Sequence, residues 1–355
     1  MVSLMTAMTA TNRNKVVLVS AFTAAALGVA GLAALAIPAG AGEQPTLPDI
    51  SAEELVSSVL SAQPPAMDGS IHVANALGLP PLPGLPRQLI NGSSEARIWF
   101  DGDGRSRLAL PSQHGEQILV HDGTTVWRWD STARTATKLT PSEHAERSGH
   151  AGEAFDPATA ARQLLDLVRP TSTIAIDGTA MVADRPAYEL VLSPAPTERS
   201  LLREVRIAVD SEFRMPLRVE ALGNGSNDPV FSVGFDQLSV GPQDASLFRF
   251  EPPTGAKVTE PDAEADADHR PDFAGGIQPT VVGDGWDTVV VLKLPAGTIP
   301  EGSRGFLDQL GTPVSGAWGS GRLISTAVVS AILTQDGRVA AGAVPQQVLI
   351  EALSR

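Results

Sequence analysis

Residues able to do covalent chemistry are scarce in this chain of 355 residues, which has no cysteine. Thiolate nucleophiles, thiolate zinc sites and disulfides are thereby excluded. No G-x-S-x-G elbow, phosphate-binding glycine loop, H-E-x-x-H pair or dinucleotide fingerprint can be written onto the sequence. His144, Glu146 and His150 share a polar stretch, but this histidine spacing does not bring both rings to one helix face, and the stretch reads as a solvated loop. Asp101-Gly102-Asp103-Gly104 starts like a calcium loop, then lacks the third acidic position and the terminal glutamate, so it reads as a hairpin turn. His72 and His121 fall in strands as ordinary edge or surface histidines. Asn91-Gly92-Ser93 and Asn224-Gly225-Ser226 match a glycosylation sequon and read as turns. No nucleophile is found with its base, so the expectation is a protein that is not an enzyme and uses neither cofactor nor metal.

What the chain does offer is apolar surface in unusual places. The connection Leu79-Pro80-Pro81-Leu82-Pro83-Gly84-Leu85-Pro86 carries Leu79, Leu82 and Leu85 at the polyproline period. Loops normally face water. These leucines either cover the protein's own sheet edge or form a gate at the mouth of an apolar cavity. Trp127 and Trp129 share one strand face, with Arg128 on the other. They serve either core packing or the lining of a lipid-holding sheet.

The elements that must position such a surface are mostly strands. Ser51-Ala52-Glu53-Glu54 is a capping box ahead of Leu55, Val56, Val59 and Leu60, which predicts an amphipathic helix over 51–62. From about Asp68 the apolar period changes to two. Alternating runs over 95–100, 105–110, 117–121, 124–130 and 134–139 are punctuated by turn residues, with Asp122-Gly123 as a two-residue hairpin turn. Asp156-Pro157 opens a second helix through about Val168, and strands resume from Thr173 to Val240. Pro252–Asp272 is acidic, proline-bearing and aperiodic, as a linker should be. Beyond it come a strand over 288–294, a short helix near 304–310, strands within 322–334 and 338–344, and a final helix opened by Pro345. Long antiparallel hairpins with a few helices imply an α+β architecture.

Charge and composition bound the partners. With 26 Lys+Arg against 40 Asp+Glu the net charge is -14, which lacks the basic footprint that phosphate backbones select. Nucleic acid is excluded as an expected partner. The apolar fraction of 43% fits a folded chain, and 33 glycines with 28 prolines favour turns over helical bundles. Arg13 and Lys15 precede the uncharged run Val16–Ile37 and the small residues Ala39 and Ala41. These are the parts of a secretory signal peptide, in a run long enough to span a bilayer of about 30 Å as an uncleaved anchor. Either reading exports residues 42–355. The expected plan is a signal peptide or anchor over 1–41, a main domain over 42–260, an acidic linker over 261–275 and a small C-terminal domain over 276–355.

Several of these segments together resemble a known family. The run 96–110 (an alternating strand, a DGDG turn, then RSRLAL) is followed by QILVHDGTTVWRWDSTARTATKL, and later by Glu204–Asp210 and Pro216-Leu217-Arg218-Val219. They resemble the LolA-type lipoprotein-carrier superfamily, which includes RseB/MucB-like regulators and mycobacterial lipid-binding lipoproteins. The resemblance covers about Ser51–Pro252 and rests on strand order and turn chemistry. The C-terminal unit, with Trp286, Leu294-Pro295 and the Gly342-Ala343-Val344-Pro345 junction, is similar to the second domain of RseB-like proteins. The chain departs from simple carriers by that domain, and from the lipid-binding lipoproteins by lacking a lipidation cysteine. The resemblance implies a large antiparallel, unclosed half β-barrel covered by helices, with acyl chains bound between the two, and the expected fold adds a small α/β-type C-terminal unit. Alternation assigns to the inner face Ile98 and Phe100, Leu108 and Leu110, Trp127 and Trp129, Leu190 and Leu192. It adds Val205 and Ile207, Leu217 and Val219, Phe231 and Phe235. The expected function is an exported binding protein for the acyl chains of a lipid or lipoprotein. The alternative is an envelope-stress regulator that binds a membrane anti-sigma factor through its C-terminal domain.

Overall fold

The computed structural model describes residues 44–78, 92–112, 115–139, 165–166, 168–260, 279–294 and 311–355. The segment 1–41, the gate residues Leu79, Leu82 and Leu85, the His144–His150 stretch, most of the helix over 156–168, the linker 261–275 and the helix near 304–310 lie outside these residues.

Strand-forming alternation builds two sheets. The larger begins with β1 (Met67–Asn75), β2 (Gly92–Phe100), β3 (Ser106–Ser112), β4 (Gly115–His121), β5 (Val126–Asp130) and β6 (Thr135–Leu139). It continues with β7 (Ser172–Val182), β8 (Arg185–Pro194), β9 (Leu202–Asp210), β10 (Pro216–Gly223), β11 (Pro229–Val240) and β12 (Lys257–Thr259). The strand order is β12-β6-β5-β4-β3-β2-β1-β11-β10-β9-β8-β7. The two ends do not pair, so the sheet stays open. Neighbours are antiparallel except β12, which joins β6 in parallel. The turns follow the residues that demand them. Asp101 Oδ1 accepts from the amides of Asp103 and Arg105, so DGDG is a turn, and Asp122 Oδ1 caps Thr124 and Thr125 in the same way. The Asp122 loop is longer than the expected two residues, because His121 pairs with Val126.

Bulges concentrate in the middle of this sheet. The pairing of β1 with β11 slips between Ser70 and Ile71, leaving Asp236 as the extra residue. That of β9 with β10 slips so that Leu217 is extra. Such insertions bend a strand and raise its twist.

Helical cover among the described residues is slight. The predicted capping box forms: Ser51 accepts from the Glu54 amide, and Glu54 accepts from the Ser51 amide at 3.0 Å. It opens helix α1 (Ala52–Ser61), whose fully buried Leu55 packs on Tyr188, Leu190 and Val209. No helix of the described residues is long and apolar enough to cross a membrane.

The smaller sheet contains β13 (Thr280–Val282), β14 (Val289–Lys293), β15 (Thr312–Gly316), β16 (Gly319–Ser325), β17 (Ser330–Thr334) and β18 (Arg338–Gly342). Every pair in it is antiparallel, which corrects the expected α/β character. Short turns suffice to join antiparallel strands, whereas parallel ones need crossover helices. The strand expected within 322–334 is two, β16 and β17. Helix α2 (Gln346–Leu353) follows Pro345 as expected and buries Val348, Leu349 and Leu353 against Val289, Ile332 and Ala340.

The two sheets touch. The Trp286 indole donates to Ser172 Oγ at 2.7 Å, the Leu201 amide to the Ala343 carbonyl at 2.8 Å, and Arg199 pairs with Glu351 at 2.8 Å. Gly223 lies against Val328, where an added Cβ would come within 3.0 Å of its Cγ1.

Candidate functional site

The two faces of the large sheet differ in chemistry, and the register says which residues share one. From Ile98 the cross-strand partners run to Leu108 on one side and Gly69 on the other. Beyond β1, Ile71 faces Phe235, Val73 faces Val233, and Val233 faces Val219. Val219 meets Ile207, Ile207 meets Leu190, and Val205 meets Leu192. Phe100 and Phe231 join the same face opposite Met67 and Asn75. This is the face that α1 covers, since Leu190, Leu192 and Ile207 pack around Leu55. Leu110 and Leu217 belong to it as well, grouped with Val233 and Phe235. These candidates therefore come together as one apolar surface.

Trp127 and Trp129 do not. Val120 pairs with Trp127 and Ile118 with Trp129, while the α1 face passes through Leu119, the partner of Leu108. Both tryptophans lie on the opposite face, in a separate core with Ile118, Val120 and Ala136. Phe250 covers them, its ring centroid 5.6 Å from Trp127 and 6.3 Å from Trp129. The assignment of these two residues to the inner face is corrected. Aromatic bulk selected the buried side of β5, but the cover there comes from the chain after β11 and not from α1.

Among the described residues the apolar face is incompletely covered. Ile98, Leu108, Leu110, Val219, Phe231 and Phe235 are half-buried around the buried Ile71, Val73, Ala96 and Val233. Between Ile71, Ile98, Leu217, Val219, Val233 and Phe235 lies a cavity of about 140 Å³. It is partly open to solvent and also bordered by Arg218, and its volume is comparable to an enclosed apolar cavity of about 150 Å³ that takes up benzene. Toward the sheet's edge the same face exposes Leu119 and Leu139, each 42% accessible. Sequence reading passed over both, although each alternates in phase with its strand's other outward residues. Ile71, Val73 and Val233 were missed too, and a period of two from Met67 would have found the first two.

The opposite face is charged between β8 and β10. Arg218 pairs with Glu189 at 3.0 Å, and Arg206 with Glu204 at 2.8 Å and Glu189 at 3.3 Å. Burial pushes the Glu220 carboxyl up, against the pull of Arg218. Farther along that face, buried His72 has its Nδ1 3.4 Å from Asp236, and desolvation pushes the imidazole down to about 4. His72 Nε2 and the Ser232 hydroxyl are buried without partners. Among the described residues no cluster of His, Asp and Glu is arranged to hold a metal ion.

No family model matches the chain, and no curated protein does. Solved structures do. MucB in complex with MucA(peri) is 15% identical over 84% of this chain and 94% of its own, with a TM-score of 0.42. The MucA/MucB complex of Pseudomonas aeruginosa is 16% identical over 84% and 94%, with a TM-score of 0.41. A LolA superfamily protein from Nitrosomonas europaea is 11% identical over 57% and 99%, with a TM-score of 0.24.

Proposed function

We propose that this chain is an exported, non-enzymatic binding protein that holds the acyl chains of a lipid or lipoprotein along the α1 face of its large sheet. The observation that carries the reading is the row of half-buried apolar side chains, Ile98, Leu108, Leu110, Val219, Phe231 and Phe235, around a cavity of about 140 Å³. A contiguous, half-buried apolar row with a pocket beside it is the kind of surface that takes an apolar ligand. Export follows from the basic residues and apolar run of segment 1–41, and trafficking within the cell envelope from the family resemblance.

The test is native mass spectrometry of the full-length chain purified from its source organism, followed by lipid extraction. Co-purifying acylated ligands are expected. Leu110→Asp should weaken acyl binding by about tenfold or more, because a bound chain would desolvate the new carboxylate at a cost of about 1.4 kcal/mol or more. Arg97→Asp, on the opposite face and exposed, should leave binding unchanged. A chain that carries no lipid and binds none in vitro would refute the reading.

A further inference from the structure

Arg214 sits in the turn between β9 and β10 with φ +57°, a left-handed backbone that glycine or asparagine ordinarily supplies. The turn closes through the Asp210 amide on the Met215 carbonyl and the Arg214 amide on the Asp210 carbonyl. This backbone carries the guanidinium over the ring of Tyr188, 5.2 Å from its centroid. Tyr188 belongs to the apolar group under α1, beside Leu55, Leu190 and Val209. The cation thus lies at the α1 face. Two and three residues farther on, Pro216 and Leu217 line the cavity described above.

Among the described residues no carboxylate pairs with Arg214, although the chain is rich in them. Its Nη1 is buried and makes no hydrogen bond. The acids of its own turn are already engaged. Asp210 accepts from Arg185 and from the amides of Glu212 and Phe213, and Glu212 pairs with Arg185 at 2.8 Å. Arginines 206 and 218 on the opposite face each hold carboxylates within 3.5 Å. A half-buried guanidinium with its buried Nη1 left without an acceptor, at the rim of an apolar surface, has donors to offer an oxyanion.

We propose that Arg214 anchors the anionic headgroup of an amphiphile whose hydrocarbon chain lies on the α1 face. The inference rests on the function proposed above and deepens it by fixing the ligand's charge. The headgroup chemistry is a phosphate or carboxylate, which a guanidinium fork can engage with two parallel hydrogen bonds. Neutral acylglycerols would share the apolar contacts and lack this one.

The experiment compares binding of palmitoyl lysophosphatidic acid and of monopalmitoylglycerol to the full-length chain and to Arg214→Gln and Arg214→Lys. The expected result is a loss of about tenfold to a hundredfold for the phosphate ligand in Arg214→Gln, with the glycerol ester unchanged and partial rescue in Arg214→Lys. Equal losses for both ligands would assign Arg214 to packing on Tyr188 and overturn the proposal. So would unaltered phosphate binding in a folded Arg214→Gln chain. Inorganic phosphate forms a further arm. Saturable, Arg214-dependent binding of free phosphate that does not compete with the lysolipid would assign the residue to a soluble anion and likewise overturn it. If the unaltered chain binds neither palmitoyl ligand, the acyl-binding reading itself fails, which the variants alone could not produce.

Discussion

At the scale of single residues, the buried polar groups on the face away from α1 make the fold sensitive to acid. His72 is 4% exposed, and desolvation holds its imidazole near 4, below the ~6.5 of a free histidine. The fold therefore favours the neutral ring. This contribution is complete above about pH 6.5 and is lost as the pH falls toward 4, a swing of about 3 kcal/mol. Asp236 opposes it in part, because burial and the neighbouring Glu95 push its carboxyl up, so that protonation in acid favours the folded chain. Urea unfolding at pH 7 and pH 4.5 should show the unaltered chain losing stability on acidification and His72→Gln losing markedly less. An unchanged loss in His72→Gln would place the acid sensitivity elsewhere. None of this was legible in the sequence, where His72 reads as an ordinary strand histidine. Its burial depends on how strands far apart in the chain come together.

At the scale of elements, α1 is the clearest success of sequence reading, since its capping box and apolar stripe are local. Its stability divides into a cap and an anchor. Ser51→Ala should cost about 1 kcal/mol, and Leu55→Ala, whose side chain is fully buried, about 3 kcal/mol. Denaturant unfolding checks both, and equal costs would mean that α1 is not anchored through Leu55. The strands were found by alternation, and most candidate residues do share the α1 face. Alternation reports which side chains of one strand point the same way. It does not report which side of the sheet that is. Leu190 and Leu192 point toward α1, Trp127 and Trp129 toward Phe250, and both pairs give the same pattern. Where cover changes sides along one sheet, only the register between strands resolves it.

At the scale of the whole molecule, the two sheets meet through Trp286, Leu201, Arg199 and Gly223. We propose that segment 261–275 is the linker its composition suggests, so limited proteolysis of the full chain should cut there first. The two pieces should then stay together in gel filtration, held by the contacts between Trp286 and Ser172 and between Arg199 and Glu351. Gly223→Val, which places side-chain atoms against Val328, should let the cleaved pieces separate. Separation without that substitution would mean that the contacts are too weak to join the sheets. The sequence suggests two units and a linker. It carried no sign of their contact, whose partners come from turns with no apolar pattern of their own.

The bulge at Asp236 bears on how such a sheet can change over evolution. Gln237 faces Ser70 and Phe235 faces Ile71, with Asp236 left over between them. Losing Asp236 would join Phe235 to Gln237 as ordinary alternating neighbours, each still on its own side of the sheet. Losing Val233 instead, in a regular stretch of the ladder, would turn one flank of β11 over and set apolar side chains against the charged face. Single-residue deletions in this lineage should therefore collect at the bulges and spare the regular strand between them, so that an alignment gap marks a bend.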